Sequence, residues 1–168
     1  MKISVIIPTF NREEHLNNCL STLLTQTKKP FEILVIDNSD NPYAEKIINN
    51  LENQFKKQNV FLYCFKNSVN SGAIARNLGA SKAKGDLIAF LDDDVLLDSN
   101  YYEEIEKVFL ENPDALGVHG YNKLVNKAYK EMKNSFIYSL LDKFVKFFMI
   151  SSYYEEAKSR VLPSLCVT

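Results

Sequence analysis

Cysteine and histidine are scarce in this chain, and no long uninterrupted apolar run is present. The three cysteines, Cys19, Cys64 and Cys166, show no metal-ligand spacing. An odd and sparse set of this kind fits reduced thiols in a cytosolic protein, not a disulfide framework. Cys19 and Cys64 sit among apolar residues and read as packing residues. The only histidines are His15, in the first turns of a helix pattern, and His119, after a strand pattern. The N-terminal apolar run, residues 3–7, stops at Pro8 and is too short for the apolar region of a secretion signal. The most apolar later stretch, residues 136–150, contains Asp142, Lys143 and Lys146, which excludes a membrane span. Neither charge dominates, with 20 Lys and Arg against 21 Asp and Glu, so a nucleic-acid binder held by a basic field is excluded. The G-x-x-x-x-G-K-[ST] pattern is missing, which excludes a P-loop ATPase. No internal repeat or low-complexity linker occurs.

What is present is an alternation of short apolar runs with longer amphipathic ones. The chain has 168 residues, 46% of them apolar, enough for one domain with a sizeable core. Residues 2–7 (KISVII), 31–36 (FEILVI), 60–65 and 87–91 read as strands, and 116–119 as a fifth. Between them lie helix patterns. Asn11 with Glu14 three residues later forms a possible capping box, followed by Leu16, Leu20, Leu23 and Leu24 on one face. Tyr43, Ala44, Ile47, Ile48, Leu51 and Phe55 mark a second helix. Residues 71–83 form a third, rich in small residues, and 101–110 a fourth that stops near Pro113. Strand–helix alternation with apolar strands predicts an α/β fold: a mostly parallel, Rossmann-like sheet with helices on both faces and right-handed crossovers. After about Tyr121 the pattern changes. Residues 123–133 are polar and irregular, and 135–150 form one strongly apolar helix pattern.

In open α/β sheets ligands bind beyond the carboxyl ends of the strands. The residues there are Pro8, Thr9, Phe10 and Asn11, then Asp37, Asn38, Ser39 and Asp40, then Asn70, Ser71 and Gly72, then Asp92, Asp93 and Asp94. The aspartate triplet is the sharpest feature. Two carboxylates about 4 Å apart repel by roughly 4 kcal/mol at an effective dielectric near 20. Three in a row need solvent, a proton or a cation, and carboxylate oxygens suit hard cations such as Mg²⁺ or Mn²⁺. As a bare triplet it is equally a solvated turn, with Asp capping the next helix. Asp37, or the Asn38 amide, is placed to accept from a pyrimidine N3–H; the bland alternative is a turn residue bonding its own backbone. In NSGAIARNLGA the helix start would aim N–H groups and its positive dipole end at phosphate, with Arg76 adding a charged contact. An exposed helix arginine is the alternative.

The segments VIIPTFNREEHLNNCLSTLLTQT, EILVIDNSD, NSGAIARNLGA and GDLIAFLDDDV, in this order and spacing, resemble the family 2 glycosyltransferases. The resemblance covers roughly residues 1–120 and implies a GT-A fold. It implies a nucleotide-sugar-binding subdomain over residues 1–121. Residues 122–168 would start the acceptor side, truncated before the acceptor-binding half is complete. It further implies that Pro8, Thr9, Phe10 and Arg12 line the nucleoside pocket and that Asp37 and Asn38 contact base or ribose. Gly72 and Arg76 would lie near diphosphate and ribose. Asp92 and Asp94 would hold the divalent metal, Mn²⁺ or Mg²⁺, with Asp92 or Asp93 near the ribose. Many relatives carry a second acid where this chain has Asn38. The implied activity is metal-dependent, inverting transfer of a sugar from a nucleoside-diphosphate donor, a UDP-sugar first. The acceptor would be a hydroxyl of a polysaccharide, glycolipid or glycoprotein glycan. The catalytic base is expected beyond Thr168, since Glu131, Glu155 and Glu156 are the only late candidates. A nucleotidyltransferase and a non-enzymatic nucleotide-binding module are the rivals; the first would show a Gly-rich basic loop after the first strand, where this chain has PTFNREE. The expected setting is cytoplasmic, with no nucleic acid. The apolar stripe within 135–150 covers the core, touches the inner face of a membrane near a lipid-linked acceptor, or forms a homodimer contact.

Overall fold

The structure is a computed structural model that describes residues 1–118, 120–122 and 166–167. The chain divides into two compact units, Met1–Val118 and His119–Thr168. In the second, β5 (Tyr121–Asn122) and β6 (Cys166–Val167) pair in parallel. The expected helix over 135–150 and His119 lie outside the described residues.

The first unit is the strand–helix alternation expected from the sequence. Its elements are β1 (Ile3–Thr9), α1 (Glu13–Leu24), β2 (Glu32–Asp37), α2 (Tyr43–Lys57), β3 (Phe61–Lys66), α3 (Gly72–Lys82), β4 (Leu87–Phe90) and α4 (Tyr101–Glu111). The four strands form one all-parallel sheet in the order β3-β2-β1-β4. The chain moves outward from β1 to β3 and then jumps back over β1 to β4. With right-handed crossovers, that reversal puts α1 and α2 on one face and α3 on the other. It also opens a crevice between the carboxyl ends of β1 and β4, where neighbouring connections leave in opposite directions.

Pleating sorts the residues by face. Ile6, Leu34 and Ile36 pack with Ala75 of α3, flanked by Phe65 and Leu78. Val5, Ile7, Ile33 and Val35 alternate with them and are fully buried, as are Leu16, Cys19, Leu20 and Leu23 of α1. The small residues of α3 have a specific purpose: a Cβ on Gly79 would collide with the Ile6 side chain. The loop from α3 to β4 is tied down from below. The buried Glu32 carboxylate accepts from Ser4 Oγ (2.7 Å) and Lys84 N (2.6 Å), and Ser4 Oγ accepts from Gly85 N (2.8 Å).

Three local expectations are corrected. Asn11 does not cap α1. Its φ is 53°, its N–H donates to Ser39 Oγ (2.8 Å) and its Oδ1 accepts from Asn41 Nδ2, so α1 starts two residues later without a side-chain cap. Residues 116–118 form no strand, and Leu116 is fully exposed. The outer strands are only half-buried, because α3 covers the central strands and leaves Phe61, Ile88 and Phe90 exposed on its flanks.

Gly79→Ala tests the close approach of α3. Overpacking of a fitted contact costs about 1–3 kcal/mol. A melting temperature lower by several degrees is expected for this variant, and an unchanged one would show that α3 is free to shift.

Candidate functional site

A cavity of about 340 Å³ opens at the crevice between β1 and β4. It is lined by Pro8, Thr9, Phe10, Arg12, Asn38, Asn70, Gly72, Arg76, Asp92, Asp93 and Asp94. Nine of the fourteen residues gathered at the strand ends therefore meet in one place. Asn11, Asp37, Ser39, Asp40 and Ser71 do not line it. Asp37 is wholly buried. Its Oδ1 accepts from Ser39 N (2.9 Å) and its Oδ2 from Lys66 Nζ (2.7 Å). Lys66 Nζ donates also to the carbonyls of Ser39 and Asn41 (2.5 and 3.0 Å), which uses all three ammonium protons. The hydrogen bond to Asp37 raises the Lys66 pKa above its ordinary value.

The three aspartates, which lie in the turn that follows β4, divide by direction. Asp93 turns inward and is buried. Its Oδ2 accepts from Thr9 Oγ1 (2.7 Å) and its Oδ1 from Arg12 (3.2 Å). A threonine hydroxyl has one proton, here given to a carboxylate, so the Tyr43 hydroxyl at 2.7 Å donates to Thr9. A relay from α2 through β1 thus fixes Asp93. Asp92 and Asp94 turn outward, their side chains 59% and 47% exposed. Arg76 pairs with Asp92 at 2.5 Å and Arg12 with Asp94 at 2.8 Å. Hydrogen bonds to Asp93 and Asp94 raise the Arg12 pKa further.

Helix α1 positions the acidic loop from behind. Cys19 Sγ donates to the Asp92 carbonyl (3.6 Å), Thr22 Oγ1 accepts from Leu97 N (3.4 Å), and Gln26 Nε2 donates to the Asp98 carbonyl (2.7 Å). Gln26 Oε1 accepts from Tyr102 N at the start of α4. On the other wall, α3 begins at Gly72 with Ser71 Oγ accepting from Ile74 N and with no acid in its first turn. Gly72, its first residue, lines the cavity, so the positive end of the helix lies at the cavity wall. Asn38 Oδ1 accepts from Asn67 Nδ2 at 2.7 Å. Sequence reasoning missed Tyr43 as a hydroxyl donor, and Gln26, Lys66 and Asn67 altogether. Only an unexpected polar residue in or beside an apolar element marked them.

The two outward carboxylates carry oxygen donors of the kind that Mg²⁺ or Mn²⁺ takes. Among the described residues no cluster of three or more His, Cys, Asp or Glu side chains could hold a metal ion. Two carboxylates completed by phosphate oxygens is the usual way such a cation is held. The fold and site therefore define an α/β protein with a charged cleft at its sheet reversal. The family model for glycosyl transferase family 2 matches residues 4–160, and the chain belongs to that family. It is 35% identical over 140 residues to the poly(ribitol-phosphate) beta-N-acetylglucosaminyltransferase TarP of Staphylococcus aureus, covering 79% of this chain and 42% of that protein. It is 36% identical over 98 residues to a poly(ribitol-phosphate) beta-glucosyltransferase of Bacillus spizizenii, covering 56% of this chain and 15% of that one. The chain thus spans less than half the length of these curated relatives. Among solved structures, S. aureus TarS superposes with a TM-score of 0.58 at 24% identity, covering 71% of this chain and 23% of TarS. The fold is GT-A, as the sequence resemblance implied.

Two measurements probe this description. Burial pushes the thiol of Cys19 up to about 12 and that of Cys64 to about 11. At pH 8 about one Cys19 in ten thousand is then thiolate, and alkylation of the native protein is expected to spare both residues while unfolding exposes them. Mass spectrometry of the labelled sites reads this. Lys66→Met leaves Asp37 buried without its cation. A loss of about 1–2 kcal/mol in urea unfolding is expected, at the low end for a broken pair because Lys66 is partly solvated. Adding Asp37→Asn should recover part of that loss; no recovery would show that Lys66 acts only through the Ser39 and Asn41 carbonyls.

Proposed function

We propose that this chain is the donor-binding portion of an enzyme that moves a sugar from a nucleoside diphosphate to a hydroxyl acceptor during polysaccharide or related glycan synthesis. The observation that carries the reading is the convergence of two outward carboxylates, two arginines and a helix N-terminus on one cavity at the sheet reversal. A diphosphate is held by cationic partners and by a divalent ion, and this constellation offers the first and carboxylate ligands for the second. The opposite wall, Pro8, Thr9, Phe10 and Asn38, is neutral and partly aromatic and suits a planar base. That the relatives' names specify sugar transfer to poly(ribitol-phosphate) supports the acceptor class.

Asp92 and Asp94 would hold the cation, Mn²⁺ or Mg²⁺. When bound, it stabilises negative charge growing on the leaving diphosphate by several kcal/mol. Arg76 lies beside Asp92, and Arg12 beside Asp94, so either guanidinium can pass from its carboxylate to a phosphate oxygen as donor enters. Asp93 stays on Thr9 and keeps the loop in shape. The acids of this cavity are thus committed to the cation and to the loop. The carboxylate that deprotonates the acceptor, in the inverting course proposed, comes from another part of the enzyme. A UDP-sugar is the proposed donor. A cytoplasmic setting, homodimerisation and peripheral membrane contact through residues 135–150 belong to the same proposal and rest on the sequence.

Calorimetric titration of UDP, with and without Mn²⁺, tests this. Mn²⁺ is expected to tighten UDP binding by about tenfold or more in the wild type and to have little effect in Asp94→Ala. Metal-independent binding that Asp94→Ala leaves unchanged would remove the role given to the acidic pair.

A further inference from the structure

We propose that Asn67 determines base selectivity by fixing which end of the Asn38 amide faces the cavity. The inference rests on the reading of that cavity as a nucleoside-diphosphate site.

Asn67 follows β3, and its backbone N–H donates to the Asp37 carbonyl at 2.9 Å, so the end of β3 stays joined to the end of β2. Its side-chain Nδ2 donates twice, to the Val69 carbonyl and to Asn38 Oδ1, both at 2.7 Å. The Val69 contact settles the orientation. A backbone carbonyl only accepts, so the Asn67 group that meets it is the NH₂. The same NH₂ meets Asn38, which must therefore present its oxygen to Asn67. Asn38 is left with its own Nδ2 on the other side. Among the described residues that nitrogen has no hydrogen-bond partner, and Asn38 lines the cavity. The sequence suggested an amide oxygen that accepts from a pyrimidine N3–H. The structure instead offers a donor.

The difference has chemical content. An N–H donor at Asn38 bonds to a carbonyl oxygen of uracil, or to N3 or O2 of cytosine. An acceptor at the same place bonds to uracil N3–H and meets the N3 lone pair of cytosine head-on. Asn67 thus keeps the site tolerant of both pyrimidines, and reversing the Asn38 amide would make it favour uracil.

Asn67→Asp reverses the polarity. Its carboxylate accepts from Asn38 Nδ2 and turns Asn38 Oδ1 toward the cavity. Asn38→Asp keeps the bond from Asn67 and places a carboxylate oxygen at the cavity. The probes are UDP and CDP with Mn²⁺, titrated calorimetrically into each folded protein. The ratio of the two affinities cancels any general repulsion of the diphosphate by the added charge. Both variants are expected to raise the preference for UDP over CDP by about tenfold relative to wild type, the size of one hydrogen bond gained against one opposed. A ratio unchanged in Asn38→Asp overturns the placement of the base at Asn38. A ratio changed in Asn38→Asp but not in Asn67→Asp overturns the orienting role of Asn67. If Asn67→Asp does not fold, Asn67→Ser, which loses the double donation, is expected to move the ratio the same way by a smaller factor, and an unmoved ratio overturns the role. Wild type that binds neither nucleotide overturns the cavity reading itself, and this inference with it.

Discussion

Three adjacent carboxylates at the end of β4 impose the constraint around which this site is organised. Unscreened neighbours of like charge about 4 Å apart cost roughly 4 kcal/mol each near a protein surface. The fold meets this by separating them. Asp93 is sent inward to a hydroxyl and a guanidinium, while Asp92 and Asp94 go outward to separate arginines. The two arginines come from different sides of the cavity, one just before α1 and one on α3. The same separation leaves each outward carboxylate in an exposed ion pair with its own arginine at the cavity.

Holding that arrangement needs a stiff support. Sheet register supplies part of it, since Thr9 stands opposite Asp37 and Ile6 opposite Phe90. The C-terminal half of α1 and the turn after it supply the rest through Cys19, Thr22 and Gln26, each bonded to the backbone between Asp92 and Asp98. A comparable device serves the end of β2, where Lys66 gathers Asp37, Ser39 and Asn41 around one ammonium. Both devices use buried or half-buried polar groups whose partners are complete. That makes them rigid and makes the loss of one partner costly.

Much of the fold was legible in residue order. Apolar runs such as SVII and ILVI marked the strands because a parallel sheet covered on both faces has no polar side to display. The stripes Leu16–Leu20–Leu23 and Ala44–Ile47–Ile48 marked helices because one face must be buried. The strand-end rule collected nine of the cavity's eleven lining residues; Arg76, picked out on the third helix pattern, and Arg12, named through the family motif, completed the set. Asp37 escaped it because a strand end has two sides, and which one a side chain takes depends on the pleat and on the lysine across the sheet. The expected cap at Asn11 failed because Asn41 and Ser39, distant in sequence, took its side-chain oxygen and its N–H.

The sequence by itself determined the α/β class, the strand ends where chemistry gathers and the family to which the chain belongs. These follow from periodicity and from local motifs, which act over a few residues. Tertiary structure alone decided which aspartate turns inward, which arginine meets which carboxylate, and that Asn38 gives its oxygen to Asn67. Each of those outcomes is a hydrogen bond between groups 16 to 84 residues apart. Such pairings are set by the order β3-β2-β1-β4 and its register, and no local pattern encodes them.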